Sequence, residues 1–226
     1  MADQDRPFDP REEELLNSLQ RAIDKAVARV CARHVGDEPR DGEEEPALSA
    51  RIAEAIEAEL EHNPMEVDGM RVEVTTRNVR SHGHRSDERR TGVDLLISVV
   101  RYDDDQPVSK GLLAQSKLSV ALGDDRRRLR NQANRMSTRT NESYVIIIYD
   151  DDAVAVPAER ARYPKLPSDF ERDAMSLGTL IADGLRCVRG DKRIGRDPSV
   201  PVRHGLNEVM DRLKAWHAID FALTND

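Results

Sequence analysis

TGVDLLISVVRYDDDQPVSKGLLAQSKLSV, residues 91–120, holds two apolar runs around a polar loop. Residues 93–102 and 111–120 are apolar on both faces and rich enough in β-branched side chains to be interior strands, with DDDQPVSK as the turn between them. Three polar residues interrupt this pattern. Asp94 enters the first run, and Gln115 and Lys117 sit inside the second. Side chains alternate along a strand, so Gln115 and Lys117 leave the same face. A lysine inside a sheet is costly unless an anion or acceptor lies near it. Asp94, at the start of the neighbouring antiparallel strand, is the candidate. The trio reads either as an Asp–Lys pair that pins strand register or as the centre of a site.

Outward from this stretch the pattern is regular. Residues 70–79 alternate as a half-buried strand, so the spacing predicts a three-stranded meander. A helix is predicted over about 124–137, with a stripe of Leu129, Ala133 and Met136 that also contains Gln132. The buried strand YVIIIYD and the short strand AVAVPA follow. Upstream, Asp9 suits a helix N-cap and Pro10 the first helical position. Leu16, Leu19, Ile23, Val27 and Val30 give that helix one apolar face. The polar VGDEPRDGEEEP connects it to a second helix, from near Ala47 to Asn63–Pro64. Residues 170–188 and 205–223 read as helices, with Trp216 packed on the last of them. The division expected is an N-terminal helix and acidic linker over 1–46, a core over 47–160, and a helical extension over 161–226 packed on that core.

The second helix contains another break in pattern. At about 100° per residue, Leu48, Ile52, Ile56 and Leu60 span one stripe and Glu59 falls near its middle, about −20° from Ile52. Glu54, Glu57 and Glu61 lie round the other side. A lone inward carboxylate violates binary patterning, and such violations mark functional or strained sites. Glu59, Asp94 and Gln115 together offer oxygen ligands for a hard divalent cation, Mg²⁺ or Mn²⁺, with water in the remaining positions. Lys117 beside such an ion could position a water or neutralise charge on a phosphoryl oxygen. The chemistry implied is phosphodiester hydrolysis.

An aspartate at a strand start, a spacer of about twenty residues, and Q-x-K in the next strand resemble the PD-(D/E)xK nuclease superfamily in its Mrr-like form. The helix with an inward glutamate before them, and the helix then strand after them, are similar to its αβββαβ core. The resemblance covers about residues 47–156. It implies an α/β fold: a restriction-endonuclease-like core with a mixed central sheet, carrying added N- and C-terminal helices. It assigns catalytic roles to Asp94, Gln115, Lys117 and Glu59, and metal binding to Asp94, Gln115 and Glu59. Two positions depart from the family pattern, since Gln115 is neutral and Val93 stands where proline is usual. The activity implied is a metal-dependent endonuclease acting on DNA, of the kind found in prokaryotic restriction and antiviral defence. A homodimer would let one site per subunit cut each strand, and a regulatory partner protein is compatible. The alternatives are a nuclease-like scaffold that binds a protein, and an RNA- or junction-specific nuclease.

Charge agrees with a local rather than a general attraction to nucleic acid. The chain of 226 residues has a formal net charge of −8, so its long-range field repels a polyanion. Basic clusters nevertheless occur at 77–90 and 126–139, on either side of the Asp94 to Lys117 stretch. Arg77, Arg80, Arg85, Arg126, Arg127, Arg130 and Gln132 are the expected nucleic-acid contacts. His82 and His84 read as polar loop residues, with phosphate contact or help to a metal as the alternative, and Glu88 as a surface charge near enough to Asp94 to approach the metal. No apolar run is long enough to span a bilayer, and two distant cysteines, Cys31 and Cys187, suit a cytoplasmic protein without disulfides.

Overall fold

A computed structural model of the chain describes residues 9–36, 45–78, 93–102, 106–119, 122, 126–163 and 169–225. The described residues form an α/β architecture built on one mixed sheet of eight strands. Helix α1 spans Pro10–Gly36 and α2 spans Glu45–His62. Strands β1 (Met65–Val67), β2 (Met70–Asn78), β3 (Leu95–Arg101) and β4 (Val108–Leu118) follow. Then come α3 (Arg126–Ser137), β5 (Ser143–Ile148), β6 (Ala153–Pro157) and a 3₁₀ turn over Ala158–Arg162. The chain closes with β7 (Met175–Ser176), α4 (Leu177–Leu185), a 3₁₀ turn over Lys192–Ile194, α5 (Val202–Leu213) and β8 (His217–Asn225).

The order across the sheet is β1-β2-β8-β3-β4-β5-β6-β7. β8 therefore lies between β2 and β3, antiparallel to the first and parallel to the second. This corrects two expectations. The three strands β2, β3 and β4 are not a continuous meander, and the stretch 205–223 is not one helix. The helix ends at Leu213, Lys214 turns left-handed at φ 56°, and HAIDFALTN becomes a strand. The helix expected over 170–188 is likewise shorter, α4 alone. The remaining order of helix, strands β2, β3 and β4, helix α3 and strand β5 agrees with the reading of the sequence.

Alternation along the strands divides the core in two. Leu95, Ile97, Leu112, Ala114, Ile146, Ile219 and Phe221 meet α1, α2 and α4 on one face. Leu96, Leu113, Val145, Ile147 and Ala218 meet α3 and α5 on the other. The α1 expectation holds in detail: Asp9 accepts the Arg11 N–H at 2.9 Å, and Leu16, Leu19, Ile23 and Val27 are buried. Arg101, at the end of β3, grips both oxygens of Glu12 at 2.6 Å and so ties α1 to the sheet. On the opposite face Arg196 is wholly buried against Asp220 of β8, with Nε to Oδ1 2.8 Å. That pair fastens the segment before α5 to the middle of the sheet.

Candidate functional site

Asp94 sits between two strands because its backbone is bonded on both sides. Its N–H donates to Ala114 O in β4 at 3.0 Å, and its carbonyl accepts the His217 N–H of β8 at 3.0 Å. Leu95 pairs with Ala114, which puts Asp94 level with Gln115 in the antiparallel register. Gln115 and Lys117 alternate with Ala114 and Ser116 and so occupy the face covered by α3 and α5, and the hydrogen bond from the Gln115 side chain brings the Asp94 carboxylate to that face just ahead of β3. All three side chains have no exposed surface. The Gln115 amide Nε2 donates to Asp94 Oδ2, and the Ser116 N–H reaches the same oxygen at 3.1 Å. Lys117 lies two residues further along β4, level with Ile147 of β5. The cluster thus stands where the parallel strands β4 and β5 end, the place where open α/β sheets commonly hold ligands.

Glu59 is not brought to this cluster. The sequence places it correctly on the buried side of α2, and it is 7% exposed. What it faces, however, is α1: Arg29 binds its Oε2, Lys25 Nζ is 3.7 Å from Oε1, and Asn63 donates to Oε1 at 3.1 Å. The Arg29 hydrogen bond holds its carboxyl below the usual glutamate range. Helix α2 packs on the face opposite Asp94, Gln115 and Lys117, and its link to the site strand is made near its start, by Ser49 Oγ to Ser116 Oγ at 2.6 Å. The ligand set of Glu59, Asp94 and Gln115 is therefore not assembled among the described residues. No group of three His, Cys, Asp or Glu side chains suited to a metal occurs among them either.

Two amide oxygens remain over. Gln115 Oε1 and Gln132 Oε1 are buried and accept no hydrogen bond, a situation that costs about 1–3 kcal/mol each unless something fills it. Gln132 is 3% exposed on the inner stripe of α3 with Leu129, Ala133 and Met136, as its spacing predicts. Orphaned donors accompany these orphaned acceptors. Arg126 Nε and Nη1 are buried without partners, while its Nη2 donates to Tyr163 O. Burial, and then the charge of Arg130, push the Arg126 guanidinium below its ordinary value.

The first turn of α3 holds Arg126, Arg127 and Arg128 and no acidic residue. Cations at the positive end of a helix are unfavourable by some tenths of a kcal/mol each, about 0.3–1, so the arrangement suits an anion brought from outside. Arg127 and Arg135 are exposed, and they and Arg130 make no ion pair among the described residues. Arg77 is held by Asn207 of α5, Nε to Oδ1 2.9 Å. Arg80, Arg85, His82, His84 and Glu88 lie outside the described residues.

Sequence reasoning missed two participants, His217 and Asp220, and misplaced a third residue, Trp216. His217 supplies the backbone donor that fixes Asp94; Trp216 lies in the link between α5 and β8 rather than on a helix; and Asp220 forms the buried pair with Arg196. A lone aspartate in the apolar run HAIDFAL was the available signal.

Comparison with family models, with curated proteins and with solved structures gives no match.

Proposed function

We propose that this protein is a metal-dependent nuclease that hydrolyses DNA phosphodiester bonds with Asp94, Gln115 and Lys117. The observation that carries the reading is one carboxylate, one amide and one ammonium, sharing one sheet face and fully out of water, with the Gln115 oxygen left without a donor. The donor set fits a hard cation such as Mg²⁺ or Mn²⁺. Asp94 and Gln115 Oε1 would hold it, and a site with few protein ligands suits an ion that keeps several waters and binds substrate phosphate. When bound, the ion supplies an acidified water and neutralises phosphoryl charge.

The chain's own groups do the rest. Gln115 Nε2 and the Ser116 N–H orient the Asp94 carboxylate. Lys117 stabilises charge developing on a phosphoryl oxygen, where low dielectric strengthens its effect. Arg126 Nε and Nη1 offer unused donors to a phosphate, and Arg127, Arg130 and Arg135 position the strand without reading its sequence. This reading keeps the resemblance to PD-(D/E)xK enzymes, with a role in restriction or defence, a homodimer and cytoplasmic residence as its corollaries. Glu59 takes no part in it.

A second reading is favoured by the complete burial of the trio and by the neutralisation of Glu59. In it the cluster is structural and the protein is a nuclease-like scaffold that binds a protein partner. Cleavage separates the two. Purified protein is incubated with plasmid, single-stranded DNA and RNA in Mg²⁺ or Mn²⁺, beside Asp94→Ala and Lys117→Ala. The nuclease reading expects cutting that falls by about 10²–10³-fold in each variant while both stay folded. Products that are equal in all three, or absent from the wild type, leave the scaffold.

A further inference from the structure

The chain has one tryptophan, and only 4% of its residues are aromatic. Trp216 is nevertheless partly exposed, and it is packed into neither of the two hydrophobic clusters formed by the described residues. Its position is fixed from both sides. Before it, the Ala215 N–H bonds back to Met210 O beyond the left-handed Lys214; after it, the His217 N–H bonds to the carbonyl of Asp94. Leu95 pairs with His217 in the parallel register, so Trp216 is the residue level with Asp94. Ala215 before it and Ala218 after it both face the cluster under α3 and α5, so the chain bends at Trp216, just ahead of β8. Neighbouring strands lie about 4.8 Å apart, so the Trp216 backbone stands roughly one strand spacing from that of Asp94 and two from that of Gln115.

We infer that Trp216 is a stacking platform for a nucleobase next to the scissile phosphate, and that the substrate is therefore single-stranded nucleic acid or a strand with an unpaired base. The inference rests on the nuclease reading. A large flat side chain outside both clusters of the described residues, level with a buried carboxylate in a sheet that also carries the arginine-rich α3 over β4 and β5, offers the two parts of single-strand binding: an aromatic face for the base and cations for the backbone. Bases inside a duplex are already stacked and would have to be extruded first, which disfavours duplex DNA at this position.

Because Trp216 is the single tryptophan, its own fluorescence reports the contact. Wild-type protein in EDTA is titrated with dT12, with rU12 and with a 12-base-pair duplex. Saturable quenching by dT12 or rU12 at lower concentration than by duplex is expected, and the ratio between the two strands shows which sugar is preferred. Labelled dT12 measured by anisotropy should bind Trp216→Ala about 5- to 100-fold more weakly and Trp216→Phe nearly as well as the wild type, with duplex binding unchanged. Unquenched fluorescence at saturating dT12, or equal affinity of Trp216→Ala, overturns the inference. Binding is read without metal, so a protein that cuts but shows no quenching loses only the platform, whereas one that is quenched but never cuts loses only the nuclease.

Discussion

Replacing Asp220 by asparagine tests how the sheet holds its inserted strand. Asp220 is 2% exposed and Arg196 has no exposed side-chain surface. The guanidinium has three partners: Asp220 Oδ1 at 2.8 Å, Tyr102 Oη at 3.3 Å and Asp197 O at 3.3 Å. Burial alone would lower its pKa, but the hydrogen bond and charge of Asp220 raise it on balance, so the arginine stays charged. Asparagine keeps the shape and removes the counter-charge. Breaking one partner of a buried pair costs about 3–5 kcal/mol. For a chain of this length each kcal/mol lowers Tm by about 2–4 °C, giving a fall of about 6–20 °C. Thermal unfolding followed by circular dichroism at pH 7 measures it. The double variant Arg196→Met with Asp220→Leu should recover most of the loss, since an apolar replacement of both partners removes the buried charge. A Tm for Asp220→Asn within about 2 °C of the wild type would refute the claim that this pair is dry and fastens β8.

Gly111→Ala should cost about 1–3 kcal/mol of stability, read as a lower urea midpoint with an unchanged slope, because a Cβ there would collide with Ile194 O, and Gly111 also exchanges backbone hydrogen bonds with Asp191; an unchanged midpoint would show that the 3₁₀ turn over 192–194 yields freely. Burial raises the pKa of Asp24, despite hydrogen bonds from the Gly178 N–H and Ser176 Oγ that lower it. A raised carboxyl pKa means that the native state binds the proton more tightly, so this group's cost is absent below the unfolded pKa and grows as pH rises through the folded one. Asp24→Asn should therefore gain stability relative to the wild type at pH 7 and lose that advantage below about pH 4, as read from denaturation at the two pH values. An advantage of equal size at both would refute the assignment.

The sequence was most legible where periodicity and burial agree. The runs of β3, β4 and β5 announce interior strands, and alternation alone puts Gln115 and Lys117 on a common face. The angular position of Glu59 was also sound. An angle on a helix specifies which way a side chain points but not what stands opposite, and here that is Arg29 of α1 rather than the sheet. The failure at 205–223 has another cause. Val209, Leu213, Trp216 and Phe221 can be threaded on a helical period, while β8 is so deeply buried that it shows no polar alternation, and a short apolar run does not distinguish a central strand from a buried helix. The turn that separates α5 from β8 depends on Lys214 in a left-handed conformation, with no glycine or proline to announce it.

The place of β8 in the sheet also governs how the molecule comes to be able to act. β2 and β3 are joined only through β8, a segment more than a hundred residues downstream of both that lies between them. Contacts of such long span form slowly, and until they do two strand margins stay open to wrong partners. The amide that steadies the aspartate's carbonyl arrives with that same segment. A half-built chain would therefore lack both the anchor of Asp94 and the tryptophan level with it, so the proposed cleavage would emerge only with the completed fold.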